Sequence, residues 1–461
     1  MPPTLEPRFA EDRAGIQDFL AFGFVPRLAP GEAPLALLAE WGRQPRRHRP
    51  DVSEDQLVRE GVRALREAFE LCASRSPAAG DQVVFLSGGL DSRTILGALL
   101  DLFGPGSVVA ATFGMPGEQD YDFAAQVARR AGVRHERLES FSAPWSTGAL
   151  VDSVLARRVP LPYPFGQRYL SYVLHERIGR ENVFWDGLCG DAVSGDWAPG
   201  EDEHWTWEAA VDEFYREHRI AGSDAVLDPG LDPRASMPAA PVLDPSLLSF
   251  PDQLDFGVRQ QRYTGTRIPS GYTVHTPFLT GPWLDYMFGV PVRLRHRQHL
   301  YMEIQRRAYP RLFSLPTTTF DGQSMMTSAL ARRAHRLGRR LRDRAARLGL
   351  PLPPDAPTGA NDALRRFDRP PMRDILVENL DDLRLRGVLH ERAEGVLWDA
   401  REGRLSASMT SVLLGLELNL KASERDEPAA RDPASAVGRT PSAVGRTTDA
   451  VGGPETGATT S

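Results

Sequence analysis

Residues 82–102, QVVFLSGGLDSRTILGALLDL, hold the pattern that most narrows what this chain can fold into. Val83, Val84, Phe85 and Leu86 are apolar and mostly β-branched or aromatic, as in a strand of a parallel sheet buried on both faces. Ser87, Gly88 and Gly89 interrupt the run, and Ile95, Leu96, Leu99, Leu100 and Phe103 then recur at helical spacing. Strand, glycine turn and helix aim backbone N–H groups and the positive end of a helix dipole at one point, where a phosphate fits. A Cβ at Gly88 or Gly89 would obstruct that anion. Asp91 stands out, because a carboxylate beside a phosphate repels it unless a cation intervenes. Asp91 is therefore a magnesium-ligand candidate, with Ser87 and Ser92 as hydroxyl donors. The competing reading, in which Asp91 or Ser92 caps an ordinary helix, explains fewer of the six residues.

The string SGGLDS at 87–92 resembles the pyrophosphate loop of ATP pyrophosphatases, most closely that of the synthetase domain of asparagine synthetases. It is not the kinase-type loop, which needs Gly-Lys-Ser/Thr; the chain's only lysine, Lys421, follows Leu420. The resemblance implies an α/β fold, a parallel sheet with helices on both faces, with helical N- and C-terminal extensions. It also implies ATP and Mg2+ as ligands, with Leu86, Ser87, Gly88, Gly89, Asp91 and Ser92 around the nucleotide.

Other classes are excluded by composition. Net charge of −6 gives no general attraction to nucleic acid. Cys72 and Cys189, the only cysteines, are too few for a disulfide framework or a structural zinc set and too far apart in sequence for a CxxC pair. Glu6, Glu11 and Asp12 replace the basic start of a signal peptide, and no long apolar run follows, so a cytoplasmic protein without a transmembrane segment is expected. The His-Glu-Arg tripeptides at His135, His175 and His390 are not HExxH motifs, since Glu139, Gly179 and Glu394 stand in fifth place. GxSxG is absent.

Taken in order, residues 1–80 are expected to be a helical segment, with a stripe of Leu57, Val58, Val62, Leu65, Ala68, Phe69 and Cys72. The glutaminase half of asparagine synthetases is expected to be absent, since Pro2 stands where they expose a nucleophilic cysteine. Residues 81–320 are expected to form the synthetase-like domain. Strands are expected at 107–114, 133–138 and 182–185, alternating with helices, which gives a parallel sheet with its ligands at the carboxyl ends. Gly114 and the loop to Asp120 fall at that end; the resemblance places this loop beside adenosine.

A second apolar strand runs into glycines and carboxylates at 186–196, DGLCGDAVSGD. It resembles the family's SGEGSDE signature, with Gly187, Asp191 and Gly195 matching. Gly187 would border the nucleotide, and Asp191 would join Asp91 on magnesium. The family's amine-transfer glutamate is Leu188 here and its second acid is Ala192. Later, Pro277, Phe278 and Leu279 match the family segment EVRVPFLD, while Thr273, His275 and Thr280 stand at its charged positions. The family's downstream lysine is missing, and Arg293 or Arg297 is expected to supply a cation in its place.

Residues 321–423 are expected to form a helical, arginine-rich subdomain, with eight arginines at 331–347, and 424–461 a disordered tail with a repeated SAVGRT. The expected function is an asparagine-synthase-like ATP-dependent ligase: a small-molecule carboxylate is adenylated and then captured by ammonia or another amine. A separate amidotransferase or pathway partner would supply the nitrogen. The alternatives are a catalytically degenerate nucleotide-binding or assembly protein and, less well supported, sulfur transfer to tRNA.

Overall fold

The computed structural model describes residues 9–26, 38–39, 52–76, 80–157, 160–198, 200, 205–265, 268–328, 367 and 369–426, with scattered positions between 330 and 344. Most of the arginine-rich stretch 331–347, and the tail from 427, lie outside the described residues.

Five strands form one parallel sheet: β1 (Gln82–Phe85), β2 (Val108–Gly114), β3 (Arg134–Glu139), β4 (Val183–Trp185) and β5 (Thr273–His275), in the order β3-β2-β1-β4-β5. β1 is central; Val83 pairs with Val109 on one side and Phe184 on the other. Val83 and Val84 are fully buried, which is why β1 reads as an unbroken apolar run. Chain order reverses at β1, with β2 and β3 to one side and β4 and β5 to the other. Ligands of such sheets settle at the carboxyl ends beside this reversal. The fold is thus the α/β arrangement that the loop's resemblance implied.

The helix Glu54–Ala73 starts on Ser53, whose hydroxyl accepts the Gln56 N–H, with Glu54 and Asp55 favourably placed at the positive end of its dipole. Its Leu57, Leu65, Ala68 and Phe69 face packs on the helices Gly281–Gly289 and His299–Ala308. Contact there is close, since a Cβ on Gly61 would lie 2.3 Å from Ile304 Cδ1. The terminal helices Arg13–Phe22 and Ala407–Asp426 touch one another and share the main core.

Three features differ from the sequence expectation. β5 occupies three residues that carried no strand signal. The stretch DQLDFGVRQQRYTGTR at 252–267 reads as one helix, whereas the structure has a short α-helix, Phe250–Leu254, followed by the π-helical stretch Asp255–Thr264. The last helix continues through Asp426, past the expected onset of disorder at Glu424, where Glu424 and the buried Glu417 both bind Arg386. Among the described residues, no helix is long and apolar enough to cross a membrane.

Candidate active site

β1 ends at Phe85 and the next helix begins at Asp91. Between them Ser87 N–H donates to Ser92 Oγ at 3.2 Å, the two hydroxyls lie 3.1 Å apart, and Gly89 N–H donates to Ser87 Oγ at 3.2 Å. Thr112 Oγ1 donates to the Leu86 carbonyl at 2.8 Å, tying the turn to β2. Gly88 is gripped from both sides. Its N–H donates to Asp120 Oδ1 at 3.0 Å; its carbonyl accepts from Thr317 Oγ1 at 2.7 Å, Thr318 N–H at 3.1 Å and Arg93 Nη2 at 3.2 Å. A Cβ here would lie 2.6 Å from Thr318 Cγ2 and 2.9 Å from Asp120 Oδ1, so close approach demands the glycine. Arg93 is fully buried and also donates to the carbonyls of Leu312, Leu315 and Pro316. Burial lowers its pKa to about 10, which leaves it charged at neutral pH. The segment 312–318 is thereby stapled behind the loop.

At the second turn, Asp186 N–H donates to the His275 carbonyl at 2.9 Å and Asp186 Oδ1 accepts the Leu188 N–H at 2.8 Å. Gly190 N–H closes onto the Gly187 carbonyl at 3.1 Å. This turn packs directly on Asp91: a Cβ on Gly187 would lie 3.0 Å from Asp91 Cβ, and one on Gly190 3.0 Å from Asp91 Cγ. Tyr301 Oη donates to Asp91 Oδ1 at 2.7 Å. Burial, reinforced by the Asp91 charge, raises the Tyr301 phenol well above its ordinary value and keeps it a donor. Asp191 Oδ1 accepts from Gln260 Nε2 at 2.8 Å and from the Ala192 N–H at 2.9 Å. Leu188 packs against the core and Ala192 is fully buried.

A cavity of about 430 Å³ opens over the carboxyl ends of β1, β2 and β4. The first turn contributes Leu86, Ser87, Gly89, Asp91 and Ser92 to its wall, and the second contributes Asp186 and Gly187. Asp120 also lines it, as do Gln167, Arg168, Ser171 and His175 from the helix Phe165–Ile178. Burial raises the pKa of Asp120, opposed by the Gly88 N–H. The His175 ring stacks on Phe85 and Phe184 at 4.7 and 4.4 Å, with Nδ1 2.7 Å from the Ser171 carbonyl. Burial lowers its pKa to about 4, so the imidazole is neutral at pH 7 and Nδ1 is the donor.

The sequence-derived candidates separate accordingly. Leu86, Ser87, Gly89, Asp91, Ser92 and Gly187 share the cavity wall. Gly88 stands behind it, its N–H on Asp120 rather than facing the opening. Gly114 packs against Glu118 and Tyr121, and neither it nor Asp191 is on the wall. Arg293 and Arg297 are exposed and off the wall, on two short helices whose Leu294 and Arg295 are the residues turned inward. The arginine on the wall is Arg168. His275 lies 2.7 Å from Ser76 Oγ and tilts against Trp185, also off the wall. Asp120, Asp186 and Arg168 were not singled out from sequence. The two acids follow strand ends, a usable signal; Arg168 shares a helical face with Ser171 and His175, a signal only once that face is known to be inward.

Among the described residues no three His, Cys, Asp or Glu side chains group into a ready-made metal site. Magnesium differs from zinc here, since one or two carboxylates suffice once phosphate oxygens complete its shell. The side-chain donors of the turn, the Asp91 carboxylate and the Ser87 and Ser92 hydroxyls, are all oxygens and fit that ion.

The family model of asparagine synthase matches residues 63–156. That stretch, which carries the whole first turn, β1 to β3 and Asp120, is asparagine-synthase-like; the second turn lies beyond it. No curated protein matches the chain.

Proposed function

We propose, taking the asparagine-synthase-like character of 63–156 as premise, that the chain is an ATP-dependent, AMP-forming carbon–nitrogen ligase. The observation that carries the reading is the seating of Asp91 against Gly187 and Gly190, which brings two glycine turns from distant parts of the chain onto one cavity. ATP would lie along Leu86, Ser87, Gly89 and Ser92, with Gly187 beside it and Gly88 and Gly114 shaping the wall from behind. Asp91 on the wall would hold Mg2+, with Asp191, which stands off the wall with Oδ1 on Gln260 and the Ala192 N–H, as the more distant second carboxylate; the ion when bound would neutralise the departing pyrophosphate.

A substrate carboxylate oxygen attacks the α-phosphorus, the bond to the bridging oxygen of pyrophosphate breaks, and an acyl-adenylate remains. Ammonia or an amine then attacks the acyl carbon, loses a proton, and AMP leaves with the bonding electron pair. This chain's contribution to the first step is position and charge. The neutral His175 and the apolar Phe85 and Phe113 help exclude water from the adenylate.

The proposal extends to the division of the chain into 1–80, 81–320 and a C-terminal part from 321 whose last helix runs through Asp426. It extends also to a cytoplasmic setting, which suits two buried cysteines held as thiols, and to a separate amidotransferase as nitrogen source. The test is ATP–pyrophosphate exchange and AMP release across a panel of carboxylic acids, with and without ammonium. Acid-dependent exchange is expected; AMP release that ignores every acid contradicts the ligase.

One observation favours a second reading, a catalytically silent nucleotide-binding or assembly protein. Leu188 and Ala192 face the core, so the second turn offers no carboxylate at either position to move the amine's proton. MgATP binding without exchange by any acid selects it.

A further inference from the structure

We infer that Arg168 is the cation that meets the polyphosphate in this cavity; the inference rests on the nucleotide reading and adds a residue to it. The wall carries three carboxylates, Asp91, Asp120 and Asp186, so a polyanionic ligand enters a site whose own side chains are net acidic. Magnesium offsets part of that repulsion, and a side-chain cation must offset more.

Charge on the wall identifies the residue. Arg93 is near the loop but behind it, directed at four backbone carbonyls. His175 is neutral at pH 7 for the reason given above. Arg293 and Arg297 face solvent away from the wall. Among the described lining residues, Arg168 is the one positive side chain.

Its placement is also built. Arg168 is 5 % exposed, its guanidinium lies over the Tyr263 ring with 4.5 Å to the centroid, and Nη2 donates to the Tyr263 carbonyl at 2.9 Å. Its own carbonyl accepts from Arg157 Nη2 at 2.5 Å, fixing the start of the helix. A planar cation held in this way loses little freedom when an anion binds.

The test is calorimetric titration of MgATP into the full chain as wild type, Arg168→Gln, Arg168→Lys, Arg293→Gln and Arg297→Gln, with melting temperatures recorded for each. Arg168→Gln is expected to weaken MgATP by ~10- to 100-fold, the range for a hydrogen bond to a charged group. Arg168→Lys, which keeps charge without the fork, should fall between it and wild type. The two exposed-arginine variants should bind as wild type does. Unchanged MgATP affinity in Arg168→Gln, or equal losses in the glutamine and lysine variants, overturns the inference. If Arg168→Gln does not fold, competition by inorganic pyrophosphate decides in Arg168→Lys: several-fold weaker competition is expected, and unchanged competition overturns the assignment. Failure of wild type to bind MgATP is a different result and overturns the nucleotide reading itself.

Discussion

The Gly88 carbonyl of the first turn accepts from Thr317, Thr318 and Arg93 while its N–H goes to Asp120; the second turn is closed largely from within, by Asp186 on the Leu188 N–H and by the Gly187 carbonyl on the Gly190 N–H. One geometry is imposed by a segment more than two hundred residues downstream, the other mostly by its own neighbours. Their chemistry divides along the same line. The first turn keeps every residue of SGGLDS, whereas the second keeps its glycines and Asp191 but carries Leu188 and Ala192 at the remaining acidic positions of the signature it resembles. What both turns share with the signatures they resemble is backbone shape, the part that would bind; what differs lies in the second turn, the part that would move protons.

The sharpest way to break this contrast is to remove the external clamp. Arg93→Met takes a shared donor from four carbonyls, of which those of Gly88 and Leu312 keep other donors; a carbonyl left unsatisfied costs ~1–3 kcal/mol. A loss above ~3 kcal/mol in urea unfolding is expected, and a loss below ~1 kcal/mol would mean that 312–318 does not hold the loop.

Behind the second turn stands a buried acid. Asp252 accepts the Trp197 N–H at 3.0 Å and the Ser249 hydroxyl at 2.6 Å, and burial pushes its carboxyl from 3.8 up to about 7. The folded state therefore holds a proton that the unfolded chain releases above pH ~4. Its stabilising contribution is complete below that pH, is lost as pH rises toward about 7, and changes little beyond. Asp252→Asn should flatten this slope and stabilise the protein at pH 8 by a few kcal/mol at most, since each tenfold change in proton affinity is worth ~1.4 kcal/mol. Unfolding free energies at pH 5 and pH 8 check the sign.

Gly190→Ala tests whether the turns truly meet, since its Cβ would press on Asp91 and on Phe278 at 3.1 Å. A cost of ~1–3 kcal/mol is expected from overpacking, with MgATP affinity lowered about tenfold. Wild-type affinity would separate the two turns. Thr317→Val removes one donor from the Gly88 carbonyl and should cost ~1 kcal/mol. Tyr301→Phe, which takes the phenol off Asp91, should change MgATP affinity least, by a few-fold, in the same titration.

How much of this was legible depended on the range of the interactions involved. β1, its turn and its helix were readable because strand burial, turn and helix periodicity all lie within one short window. The second turn was readable as glycines and acids, but its meeting with Asp91 is tertiary. β5 escaped because Thr273–His275 is short, and its pairing with β4 is long-range. Arg93 read as one more helical residue; its acceptors at 312–316 have no local trace. The family resemblance points to a cation after residue 290, whereas Arg168 sits on a helix whose polar inward face departs from a simple amphipathic stripe.

The central claim, that these two turns together form a nucleotide site centred on Asp91, is tested most directly by calorimetric titration of MgATP into wild type and Asp91→Ala at equal folded concentration. The account predicts saturable binding by wild type and none measurable in the variant. Equal binding by both proteins, or no binding by folded wild type, would contradict it.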